Sequence, residues 1–165
     1  MGAEYSPQKE VFMDTIDARL LHLLAEQADS TATALSPMVN LSVPAVNKRI
    51  SRLKSSGMIQ RFTILTDAKT VGKPVMAYIL LTLDQYMQEP TLMDYIRSDP
   101  DVLECYAVTG EYDYILKVCA AGTEALEEKL IRLKQCRGVT KSHTMLALLE
   151  HKFEPIPLPD YAGEK

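Results

Sequence analysis

Residues 41–62 read LSVPAVNKRISRLKSSGMIQRF and carry five basic side chains, Lys48, Arg49, Arg52, Lys54 and Arg61, with no acid among them. The chain as a whole is acidic, with a formal net charge of -4 at pH 7. From Ser30 to Thr66 there are five bases and no acid, so the remainder holds 13 bases against 22 acids. One short segment is electrostatically unlike everything around it. Within it Val43, Val46, Ile50 and Leu53 recur at helical spacing. Ser42 stands at the N-cap, Pro44 sits in the first turn, where amides are unpaired anyway, and Gly57 ends the helix. Subtracting the apolar stripe leaves Ala45, Asn47, Lys48, Arg49, Ser51, Arg52 and Lys54 on the open side. These amide, hydroxyl and cationic groups suit base edges and phosphates.

Working upstream, residues 14–27 (DTIDARLLHLLAEQ) place Ile16, Leu20, Leu23 and Leu24 at helical spacing, with Asp14 and Asp17 in the first turn where the helix dipole favours acids. His22 falls opposite this stripe and reads as a surface residue. Thr31 caps a second helix through Leu35, Met38 and Val39, which ends near Asn40, a residue that tolerates the left-handed conformation of a tight turn. Pro37 falls inside that helix and would cost up to about 3 kcal/mol if the helix ran straight through it. A short helix, a tight turn and a longer basic helix form the helix-turn-helix pattern, whose second member enters the major groove. Downstream, residues 58–65 read as a strand able to form a wing and aim Arg61 at the DNA backbone. The residues alone leave two other readings open: a solvated basic face, or a helical module that binds protein.

Residues 66–74, with Gly72 and Pro74, read as a hinge. Beyond it come a strand (75–83), a helix (91–97), two strands (102–109 and 112–120), a helix (123–134) and a strand (139–149). This βαββαβ order predicts a ferredoxin-like sandwich, with both helices on one face of an antiparallel sheet. The strand VMAYILLTL is apolar on both parities, although the chain's own helices cover only one face. A second copy of the sheet is the economical cover, so a homodimer is expected. In VTGEYDYILKV, Gly110-Glu111 fits a two-residue turn. A plain hairpin satisfies that pattern. So does a binding loop, in which turn amides hold a carboxylate and Asp113 pairs with an ammonium, as a free amino acid would require.

Composition narrows the function. A 165-residue chain with 47% apolar and 24% charged residues has the makeup of one or two folded domains rather than a disordered chain. No uninterrupted apolar window long enough to span a bilayer exists and MGAEYSPQKE has no signal core, which places the protein in the cytoplasm. Cys105, Cys119 and Cys136 are odd in number and set among apolar neighbours, so reduced buried thiols are expected, with no metal site and no cofactor.

In these motifs, taken together, the sequence resembles the leucine-responsive regulatory protein/AsnC (Lrp/AsnC) family of prokaryotic transcription regulators. The resemblance runs from the opening D-x-x-D-x-x-L-L-x-x-L (Asp14, Asp17, Leu20, Leu21, Leu24), through residues 41–62, to TGEYDYILKV and GVTKSHTMLALLE. It implies an α+β protein: a winged helix-turn-helix DNA-binding domain (14–65), a hinge (66–74) and a ferredoxin-like effector-binding and oligomerisation domain (75–152). An N-terminal extension (1–13) and a tail (153–165) lie outside the resemblance, and both are expected to be mobile. Double-stranded DNA would meet Ser42, Ala45, Asn47, Lys48, Arg49, Ser51, Arg52, Lys54 and Arg61. The resemblance places an effector, an amino acid, near Thr109, Gly110, Glu111, Tyr112 and Asp113, at a junction between dimers that often assemble into octamers. No enzymatic role is expected. Siroheme decarboxylases resemble the same family, but the His-rich segment they rely on has no counterpart here. An architectural DNA binder without an effector is the remaining alternative.

Overall fold

The computed structural model describes residues 12–84 and 90–161, without the side chain of residue 90. Most of the expected N-terminal extension, residues 1–11, and the end of the tail, residues 162–165, lie outside the described residues. The chain divides into two compact units. One comprises the described residues up to Ile64 and those from Phe153 on, the other Leu65–Lys152.

The first unit contains α1 (Thr15–Glu26), α2 (Ala32–Met38) and α3 (Val43–Ser55). Leu20, Leu24, Leu35, Val39 and Val46 form its core, with Ile16, Leu23, Ile50 and Ile59 packed against it. Each fully buried leucine contributes about 1.5–3 kcal/mol. Thr31 caps α2 by accepting the Ala34 N–H at 3.2 Å. Pro37 is accommodated because α2 stops one residue later, so the missing amide costs a single bond near its end. Asn40 takes φ +53 and starts the turn into α3. Ser42 has N-cap backbone geometry, but its side chain makes no capping bond.

Two expectations for this unit are corrected. Residues 58–65 form no strand. No strand pairs with this segment among the described residues, and instead the Phe62 ring lies 4.8 Å from Lys54 Nζ in a cation–π contact. His22 does not simply face water: it is half-buried and its Nε2–H donates to the Pro159 carbonyl at 2.8 Å. The tail residue Tyr161 stacks obliquely on the His22 ring at 5.7 Å, so residues 159–161 lie on α1.

The second unit contains β1 (Val75–Leu83), α4 (Pro90–Ser98), β2 (Val102–Ala107), β3 (Tyr114–Ala120), α5 (Thr123–Gln135) and β4 (Val139–Leu146). The sheet is antiparallel in the order β2-β3-β1-β4, the ferredoxin-like topology. Ala77, Ile79, Leu81, Leu116 and Val118 point to the helices and meet Leu92, Ile96, Leu126 and Leu133. Alternation puts Met76, Tyr78 and Leu80 on the opposite face with Ile115, Tyr106 and Met145, and neither α4 nor α5 reaches them. Tyr106 is 58% exposed and Met145 44%, so this apolar face is open in the single chain. At the end of α4, Lys129 pairs with Asp99 at 2.6 Å and with Asp101 at 3.1 Å, while Lys73 pairs with Asp101, fastening the end of the connector to the sheet unit. Cys119 is buried and Cys105 and Cys136 are half-buried, all three as free thiols.

Candidate DNA-contact face and effector cavity

The outer surface of α3 follows from its period. Val46 and Leu53 are fully buried, so Lys48 and Ser51 lie on the far side. Asn47 and Lys54 form one flank, Ala45, Arg49 and Arg52 the other. Ser42, Asn47, Lys48, Ser51, Lys54 and Arg61 are exposed. Ala45 is half-buried. Lys48 and Arg61 make no ion pair with any described residue.

Arg49 and Arg52 are placed differently. Asp14 and Asp17 form a capping box on α1: the Asp14 carboxylate accepts the Asp17 N–H at 2.8 Å and Asp17 accepts the Asp14 N–H at 3.3 Å. Arg49 Nη1 donates to Asp14 at 2.7 Å and to Asp17 at 2.9 Å, and Arg52 Nη2 donates to Asp17. Asp17 is fully buried, and only this pairing makes a carboxylate tolerable there. Burial alone would raise the Asp14 carboxyl, but the Arg49 guanidinium and the Asp17 N–H outweigh it and hold the pKa below the ordinary aspartate value. The Arg49 side chain is 24% exposed and that of Arg52 49%, so Arg52 keeps the more accessible edge. Both arginines therefore bind α3 to α1. The signal was in the sequence: two acids three residues apart on one helix match two arginines three residues apart on another.

In the second unit the residues 108–113 form the loop between β2 and β3, longer than the expected two-residue turn. Val108 N–H donates to the Asp113 carbonyl at 2.9 Å, and Gly110 takes φ +118. Asp113 is the anchor of this loop. Its N–H donates to the Leu81 carbonyl at 2.9 Å, and its carboxylate accepts the Leu83 N–H at 2.6 Å, tying the loop to the end of β1. The sequence reading assigned that carboxylate to an ammonium, but one of its oxygens is taken by the strand.

Beside the loop is an open cavity of about 520 Å³. Glu111 and Tyr112 form its loop wall, Lys134 comes from the last turn of α5, and residues 139–143 of β4 complete it. The Tyr112 and His143 rings lie 6.3 Å apart at 31°. Of the five loop residues named from the sequence, Glu111 and Tyr112 line the cavity; Thr109, Gly110 and Asp113 do not. Lys134, Lys141 and His143 were missed, being more than twenty residues distant along the chain. The βαββαβ order held the clue, since it seats the start of β4 against the end of β1.

The sequence matches the AsnC-type helix-turn-helix domain over residues 13–54 and the Lrp/AsnC ligand binding domain over residues 76–157. It is 28% identical to the HTH-type transcriptional regulator FL11 of Pyrococcus furiosus, across 89% of this chain and 96% of that protein. It is 32% identical to the HTH-type transcriptional regulator LrpA of Mycobacterium tuberculosis, across 81% of this chain and 89% of the relative. A transcriptional regulator of Neisseria meningitidis crystallised with L-Met superposes with a TM-score of 0.83 at 26% identity, over 88% of this chain and 97% of that one.

Proposed function

Because this chain belongs to the Lrp/AsnC family of transcriptional regulators, we propose that it is a homodimer whose DNA occupancy or assembly is set by a free amino acid in the cavity beside the 108–113 loop. The observation that carries this reading is the loop itself. Asp113 fixes it to β1, so Glu111 and Tyr112 form a standing wall rather than a mobile tip. Glu111 offers an acceptor to an ammonium, and Lys134 and Lys141 offer cations to a carboxylate. The L-Met complex of the Neisseria regulator supports an amino acid as the class of ligand.

The dimer is proposed through the apolar sheet face carrying Tyr78, Leu80, Tyr106 and Met145, which is too apolar to remain open to water. On the DNA side, Lys48, Lys54 and Arg61 supply phosphate attraction, while Ser42, Asn47 and Ser51 are placed for polar contacts with base edges or phosphates. Catalysis is not part of the proposal: the cavity is lined by one histidine and no arginine among the described residues.

The test is a thermal-shift screen of the full chain against the twenty amino acids, followed by DNA binding with and without any ligand found. One or a few amino acids should raise the melting temperature and shift DNA affinity or oligomer size. If no amino acid changes either, the protein is an effector-independent DNA binder.

A further inference from the structure

We infer that the effector is an amino acid with a negatively charged side chain, of the glutamate or aspartate class. The inference rests on the effector reading of the cavity and concerns which ligand that cavity selects. Its lining carries two lysines, Lys134 and Lys141, against one carboxylate, Glu111. Neither lysine makes an ion pair with a described residue. His143 is engaged with the Tyr112 ring. A zwitterion with a neutral side chain uses Glu111 for its ammonium and one lysine for its α-carboxylate, and leaves the second lysine unmatched. A side-chain carboxylate matches it.

The rest of the lining points the same way. Val139 and the Tyr112 ring stand beside the two lysines, Glu111 and the Ser142 hydroxyl, while the Thr140 hydroxyl donates to the Thr82 carbonyl at 3.0 Å. A leucine or methionine side chain leaves a lysine of this mixed lining unmatched. The two lysines approach from different elements, Lys134 from the last turn of α5 and Lys141 from β4, on either side of the turn at Gly138. Two separated cations and one anion match the three charges of an acidic amino acid.

Isosteres test this without ambiguity of shape. Isothermal titration of the full chain should show L-glutamate binding at least about tenfold tighter than L-glutamine, or L-aspartate than L-asparagine, the order that one charge-assisted pair supplies. Lys134→Gln and Lys141→Gln should each weaken the acid, and one of them, the partner of the side-chain carboxylate, should bring the acid-to-amide ratio close to one. An aliphatic amino acid that binds more tightly than either acid overturns the inference while leaving the effector reading intact. A dicarboxylate without an amino group, succinate or glutarate, that binds as tightly as the amino acid also overturns it, because Glu111 then has no ammonium to hold. If none of the twenty amino acids binds, the effector reading fails and takes this inference with it.

Discussion

Arg49 and Lys48 are neighbours in sequence with opposite duties. Lys48 points to solvent, whereas Arg49 neutralises a fully buried aspartate on another helix. Arg49→Ala should destabilise the first unit by about 3 kcal/mol, the low end of the cost of unpairing a buried charge, because Arg52 still reaches Asp17. Lys48→Ala should change stability by no more than about 0.5 kcal/mol. Urea denaturation of the two variants separates them, and equal midpoints would show that Arg49 is not structural. Asp14 adds a pH dependence. Its pKa is lowered on folding below the ordinary aspartate value, so its contribution is complete above that ordinary value and is lost as pH falls through the lower folded pKa. Acid titration of Asp14→Asn should lack that component.

Among the elements, the helices were the most legible. α1 announces itself by apolar period and an acidic first turn and α3 by apolar period, cap and terminator, and the βαββαβ order follows from alternating periods of helix and strand. Two features were not legible, for related reasons. Residues 58–65 have strand-like composition, but a strand also needs a partner, and that is a non-local fact. The β2–β3 loop is longer than Gly110-Glu111 suggests because Asp113, expected inside the strand 112–120, is committed sideways to Leu81 and Leu83 of β1. Asp113 thus acts as a positioning residue. Asp113→Ala should orphan the Leu83 N–H at about 1–3 kcal/mol and abolish the effector response, whereas Asp113→Asn keeps an acceptor and should largely restore both. Failure of both variants with stability unchanged would instead assign the carboxylate to the ligand. The tail offers a parallel test. Truncation before Phe153 removes the Pro159 carbonyl from His22 and the Tyr161 ring from α1, and should lower the melting temperature by the equivalent of about 1 kcal/mol.

The whole molecule separates charge by task. An acidic body keeps the protein soluble and repels DNA, while α3 and Arg61 present a local excess of cations. In the proposed dimer, two α3 helices related by its axis would require half-sites about 10 bp apart, or a multiple of that spacing. The salt dependence of DNA affinity counts the cations that reach phosphate. The three bases outside the aspartate pairs, Lys48, Lys54 and Arg61, on each subunit of the proposed dimer give a log-log slope of about -5, whereas all five bases from each would give about -9. Fluorescence anisotropy on a promoter duplex from low to high salt is the most direct measurement. The expected result is a slope of about -5 that Lys48→Ala moves toward zero by about 2; a flat curve, or a slope indifferent to Lys48→Ala, would contradict the assignment of the outer face of α3 to DNA.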